Sequence, residues 1–295
     1  MQVLSSHRSL NLPDNPPLFV GVQGPQGSGK TYLTTHLGTA LSSPPYNVKA
    51  VIVSIDDLYL PRDGLLDVAK SHPGNSLLVG RGQPGTHDIP LGTEILQNLK
   101  GINRPDSNSV GIPKFDKSLF DGFGDRVAGS TVIGPVDLVI FEGWCVGFCP
   151  IEEEEVARRY ELPVKGIEDS FDLRAYKKAD IMEVNSLLSQ YLEWWTFFDA
   201  FIQIKPPDSH PYAFIYKWRL HQEHDMKARN GGKGMTDEQV KKFIDRYIPG
   251  YVFFSDGIES GHIDGGCVRN LPRWRKKGLR IVIGENRELR SVEAF

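Results

Sequence analysis

Eight consecutive residues, Gly24-Pro25-Gln26-Gly27-Ser28-Gly29-Lys30-Thr31, match the phosphate-binding pattern G-x-x-x-x-G-K-[ST] (the P-loop, or Walker A motif) without a mismatch. A triphosphate carries about four negative charges, and taking them out of water demands many donors. Glycines let successive backbone N–H groups turn inward with no Cβ in the way. In this pattern Lys30 reaches for the β- and γ-phosphates and the Thr31 hydroxyl ligates Mg²⁺. ATP and Mg²⁺ are therefore the expected cofactors.

Other residues offer the rest of a phosphoryl-transfer site. Asp56 and Asp57 follow an apolar run at 49–55, and Glu142 follows another at 136–141. Ligands of doubly wound sheets bind beyond the carboxyl ends of the strands, so these carboxylates belong beside the loop. Glu142 is assigned to Mg²⁺ with Thr31, whereas Asp137, at the opposite end of its strand, reads as structural. Arg219, on an expected helix, is of a type to neutralise charge during transfer. The stretch Gly80-Arg81-Gly82-Gln83-Pro84-Gly85-Thr86-His87-Asp88 reads as a substrate or lid segment, the alternative being a solvated connector. Lys114, Lys117 and Arg126 either face an anionic ligand or charge an exposed hairpin edge against aggregation. Should the acceptor carry a carboxylate, Arg81, His87 and Arg126 are the candidates to hold it, with Asp57 and Asp88 as further substrate contacts.

Positioning these groups requires an α/β fold. Strands are expected at 18–22, 49–55, 136–141 and 198–204, with a fifth elsewhere, and a strand or hairpin at 279–283 and beyond. Helices are expected at 31–41, 90–100, from the acidic run at 152–155, and over 182–195 with Val184, Leu187, Leu188, Tyr191, Leu192 and Trp195 on one face. A further helix is expected at 209–228. Thr236 and Gln239 mark the capped start of the next, which Pro249 ends. His221 and His224 stand three apart, unlike the metal-binding H-E-x-x-H pattern, and read as a polar helix face. The stretch 61–90 is expected to be irregular. The basic cluster 273–277 around Trp274 reads as a solvated charge run. The expected architecture is a parallel sheet with helices on both faces: a loose arm at 1–17, then one P-loop domain over 18–295 with lid or substrate insertions at 61–130 and 205–250.

Composition excludes several classes. With 295 residues, 40% hydrophobic and 24% charged, the chain is ordinary for a globular protein. No apolar run approaches the ~18 residues of a membrane span, and the polar start lacks a signal-peptide core. Three cysteines, Cys145, Cys149 and Cys267, are too few for a disulfide framework and suggest reduced thiols in the cytoplasm, the nucleus being left open. A net charge of −3 argues against a general nucleic-acid binder. The expected partners are ATP and a small hydroxyl-bearing acceptor, not nucleic acid or membrane.

Taken in order, GPQGSGK at 24–30, SIDDLYL at 54–60, GRGQPGTHD at 80–88, PKFDKSLF at 113–120, GDR at 124–126, FEGWCVGF at 141–148, WRLHQEH at 218–224 and KGMTDEQV at 233–240 resemble the D-glycerate 3-kinase family, and most of all its fungal members. The resemblance covers about 18–251, with a weaker patch at 152–178. The wider group is similar to uridine kinase, phosphoribulokinase and pantothenate kinase, where an Asp at the end of the second strand is the proposed base for the acceptor hydroxyl. Asp56 falls on that position and Asp57 is an extra carboxylate. The resemblance also implies that Glu142 lies near Mg²⁺ and that the segment around Arg219 and Lys233 contributes to a lid. Phosphoryl transfer from MgATP to a small-molecule hydroxyl is the leading expectation. A nucleoside or vitamin kinase, with Phe115, Tyr59 and Trp144 stacking on a base, is one alternative. A nucleotide-dependent switch with slow hydrolysis is the other.

Overall fold

A computed structural model describes the chain except residues 1, 11, 13, 108, 168–170, 230 and 265–267, and Cys267 lies outside that description. Its strands are β1 (Leu18–Gln23), β2 (Ala50–Ser54), β3 (Ser109–Asp116), β4 (Asp125–Ile133), β5 (Leu138–Gly143), β6 (Ala200–Lys205), β7 (His262–Asp264), β8 (Val268–Asn270), β9 (Gly278–Ile283) and β10 (Leu289–Ala294). Six of them form one sheet in the order β10-β9-β6-β1-β5-β2. All neighbours in it are parallel except β10, which closes the edge as an antiparallel hairpin with β9. β3 and β4 form a separate antiparallel hairpin.

Burial on two faces explains the apolar strands. Leu18, Val22, Leu138 and Ile140 face one side, covered by Leu37 and Leu41 of helix α1 (Lys30–Ser42). Phe19, Val53, Val139 and Phe141 face the other, in a core with Trp194, Trp195, Phe198 and Tyr191. The register sets Ser54 beside Glu142 and Val22 beside Glu142, so the three central strands end level with one another. Glu142 lies at that common end, and the phosphate-binding sequence follows β1 there.

Several expectations need correction. The arm at 1–17 begins with a helix, Gln2–Arg8, that buries Leu4 against the β1/β5 face, and Arg8 pairs with Asp137 at 2.5 Å. The stretch 61–90 contains a ten-residue helix, Arg62–Ser71, which follows Pro61 and buries Leu65. The expected helix at 182–195 is broken: Lys178–Leu188 passes through a tight turn at Ser189–Tyr191 into Leu192–Trp195, which turns both tryptophans inward. Pro249 does not end a helix. It sits in the first turn of α4 (Ile248–Phe254), where its missing N–H costs nothing. The preceding helices are α2 (Ala213–Arg229) and α3 (Asp237–Asp245), the latter opening with both halves of the Thr236–Gln239 capping box. Trp274 is buried and donates to the Ile258 carbonyl, so only its basic neighbours form a charged surface.

Candidate active site

The loop between β1 and α1 is shaped by two left-handed glycines, Gly27 (φ 75°) and Gly29 (φ 88°). Gly29 occupies the helix cap, where no side chain satisfies the first amides, so they remain available to an anion with the positive end of the helix behind them. Gly27 is pressed against α2: a Cβ there would stand 2.5 Å from the Trp218 carbonyl carbon and 2.7 Å from the Arg219 nitrogen. Arg287, in the β9–β10 turn, donates from Nε to the Gly27 carbonyl at 2.7 Å and from a terminal nitrogen to the Trp218 carbonyl at 2.8 Å. Tyr251 donates to the Gln26 side chain at 2.7 Å. Loop, helix and C-terminal hairpin are thus locked together.

Thr31 Oγ1 lies 3.4 Å from Glu142 Oε1. Glu142 is 4% exposed, and its Oε2 is buried without a protein partner. A buried carboxylate oxygen without a donor is costly, and a hard divalent cation beside a triphosphate would satisfy it. The pair suits Mg²⁺, which takes few protein ligands and fills its shell with water and phosphate oxygens. Among the described residues no cluster of three or more His, Cys, Asp or Glu offers another metal site.

Asp56 sits in the single turn Ile55–Leu58 that follows β2. Tyr59 donates to its Oδ1 at 3.1 Å and Lys117 to its Oδ2 at 2.5 Å. Burial opposes charge on this carboxyl, but Lys117 and then Lys30 outweigh it and hold the group far below the usual carboxylate range. Asp56 is therefore a fixed anion between two ammonium groups, one from the phosphate loop and one from the end of β3.

The motif at 80–88 is stitched to that turn by paired backbone bonds, Leu60 N–H to Thr86 O at 3.0 Å and Asp88 N–H to Leu58 O at 2.8 Å. His87 stacks on Tyr59, with ring centres 4.4 Å apart. Its Nδ1 meets the Tyr191 hydroxyl at 2.7 Å, and that hydroxyl also accepts from the Gly85 amide at 2.9 Å. The Tyr191 hydroxyl, accepting from Gly85, can give its own proton to Nδ1, and in that tautomer the imidazole proton sits on Nε2. Nε2 is buried and unpartnered. Burial pushes the His87 pKa down to about 3, so the ring is neutral.

Several expected substrate residues hold partners within the chain. Asp57 accepts the Phe115 amide at 3.1 Å and draws Lys114 to 3.7 Å, fixing the β3–β4 hairpin. Asp88 caps the helix Ile89–Lys100 through Leu91 N–H, and its other oxygen takes Arg126 at 3.0 Å. Arg81 donates to the carbonyls of Gly122 and Phe123. Arg219 abuts the loop with its backbone, but its guanidinium pairs with buried Glu223 at 2.7 Å and covers the Phe243 ring, so it is engaged between α2 and α3. Tyr59, Phe115 and Trp144, the aromatics offered for stacking on a base, are 2%, 4% and 3% exposed and belong to the core. Burial raises the thiol pKa of Cys145, and that of Cys149 to about 12; both are unpaired. Arg287 escaped the sequence reading, because its role depends wholly on the β9–β10 turn reaching the loop.

No family model matches the chain. A D-glycerate 3-kinase from Cryptococcus neoformans superposes with a TM-score of 0.88 at 40% identity, over 100% of this chain and 96% of that one. The probable ATP-dependent kinase TDA10 of Saccharomyces cerevisiae is 37% identical over 83% of this chain and 80% of its own length. This chain belongs to the D-glycerate 3-kinase family. It is an ATP-dependent small-molecule kinase. The chloroplastic D-glycerate 3-kinase of Arabidopsis thaliana is 34% identical over 81% of this chain, which spans 48% of that longer protein. Among the described residues no helix is long and apolar enough to cross a membrane.

Proposed function

We propose that this kinase transfers the γ-phosphate of ATP to the 3-hydroxyl of D-glycerate. The observation that carries the reading is Asp56, an ionised carboxylate at the end of β2 between Lys30 and Lys117. The loop amides of 24–31 and Lys30 would hold the β- and γ-phosphates. Thr31 and Glu142 would hold Mg²⁺, which supplies charge neutralisation on the phosphate oxygens when bound. Asp56 orients the acceptor hydroxyl. The acceptor oxygen bonds to the γ-phosphorus as the bond from phosphorus to the β–γ bridging oxygen breaks. The hydroxyl proton passes to an Asp56 oxygen and then to water, and ADP leaves. Because such transition states are loose, the site acts mainly by positioning and by countering charge, which suits a weakly basic carboxylate. His87, a neutral ring in the 80–88 segment bonded to that turn, would steady the acceptor. The name of the Cryptococcus relative supports glycerate, and the burial of Tyr59, Phe115 and Trp144 disfavours a nucleoside. A cytoplasmic location belongs to the same reading.

The test is ADP release by the purified protein with MgATP and D-glycerate, L-glycerate, glycerol, uridine or pantothenate. D-glycerate should give the highest kcat/KM. ADP release that needs no acceptor, or that uridine stimulates most, would overturn the proposal.

A further inference from the structure

The arginines expected to receive an acceptor carboxylate already hold partners within the chain, while the buried Nε of Arg126 has none. Arg81 satisfies two carbonyls at 2.6 and 2.5 Å, and Arg126 donates to Tyr59 O at 2.8 Å and to Asp88 at 3.0 Å. These bonds pin the hairpin to the loop. Withdrawing them would leave polar groups unpaired at a cost of about 1–3 kcal/mol each. Lys114 leans on Asp57. Lys117 differs. Its side chain is 51% exposed, it stands just past the end of β3, and its ammonium rests on Asp56 itself. A lysine head is a compact charge with three rotatable donors on a flexible stem, suited to changing partners as an arginine fork is not.

We propose that Lys117 determines specificity for an anionic acceptor: its ammonium restrains Asp56 in the empty site and engages the acceptor's carboxylate once the hydroxyl has reached Asp56. The inference rests on the kinase reading above. It follows from three facts of placement. Asp56 has to receive the hydroxyl, Lys117 touches Asp56, and in glycerate only one carbon separates the hydroxyl-bearing carbon from the carboxylate. An acceptor hydroxyl on Asp56 therefore carries its carboxylate to within a few ångströms of the Lys117 head, whose remaining donors can take it. Lys30, the other ammonium beside Asp56, is required by the phosphates. A glycerate acceptor adds one negative charge to a site already holding a triphosphate, and Lys117 is the cation that offsets it.

The test compares wild type with Lys117→Met and Lys117→Arg at saturating MgATP, using D-glycerate and its uncharged analogue glycerol. A charged hydrogen bond of this kind is worth about a 10- to 100-fold change in affinity. Lys117→Met should raise the D-glycerate KM by that factor and leave the ATP KM unchanged, and Lys117→Arg should restore part of the loss. Any effect of freeing Asp56 falls on both acceptors alike, so the ratio of their kcat/KM values isolates the carboxylate contact. Calorimetric D-glycerate binding, with a non-hydrolysable ATP analogue in place, should weaken in parallel, and it decides the matter if glycerol turns over too slowly. Equal losses toward both acceptors, or undiminished D-glycerate binding by Lys117→Met, would overturn the Lys117 assignment alone. Absence of any wild-type turnover or binding of D-glycerate would overturn the substrate reading and this inference with it.

Discussion

His87 makes a quantitative prediction about acid stability. The ring is 3% exposed, stacked on Tyr59 and bonded to Tyr191, and burial pushes its pKa from 6.5 down to about 3. A lowered folded-state value means that the unfolded chain binds the proton first. The stability tied to a neutral His87 is therefore fully present above pH 6.5 and is lost as pH falls toward 3. Between pH 8 and pH 5 the linkage relation gives a loss of about 2 kcal/mol from this residue alone. That figure hardly depends on how far below 5 the folded-state value lies, because down to pH 5 nearly all the titration is in the unfolded chain. Replacing His87 with Gln removes the titrating group. It also lowers stability at every pH by disturbing the stack, so the informative quantity is the slope. Urea unfolding followed by tryptophan fluorescence at pH 8, 6.5 and 5 should show wild type losing about 2 kcal/mol more than His87→Gln across that range. Parallel pH dependences would refute the argument, since they would mean that His87 is free to protonate in the folded protein.

Three further expectations concern the site. Asp56→Asn should keep calorimetric MgATP binding and lower kcat by about 10²–10⁴-fold, and full turnover by this variant would remove Asp56 from its role. Gly27→Ala puts a methyl group against the backbone of Trp218 and Arg219 at a φ of 75°, and backbone cannot swing aside as a side-chain tip can. Its calorimetric ATP affinity should fall by about tenfold or more, equivalent to overpacking of roughly 1–3 kcal/mol; wild-type affinity would show that the loop and α2 can part freely. Arg287→Met removes the two donors that tie Gly27 and Trp218 to the C-terminal hairpin. It should raise the ATP KM several-fold and lower Tm by several degrees, and an unchanged ATP KM would show that the brace is not needed for nucleotide binding.

What could be read along the chain was whatever local chemistry dictates. The phosphate loop is legible because its conformation depends on glycines spaced within eight residues, and the central strands because burial on both faces leaves a continuous apolar run. The Thr236–Gln239 cap is legible because its two bonds span three residues. The helix Arg62–Ser71 was hidden because Gly64 and a polar composition weaken its local signal, and burial of Leu65 decides it. The duties of the charged residues were hidden for a different reason. Arg81, Arg126, Asp57 and Asp88 carry the right charge for a substrate, but charge type does not say which partner arrives first. In the folded chain carbonyls, an amide and a helix cap claim them. Lys117 and Arg287 act across 61 and 260 residues of sequence, on Asp56 and on Gly27. A side chain's partner at such a separation is set by how the sheet and its insertions close in space, and nothing in the spacing of residues along the chain encodes it.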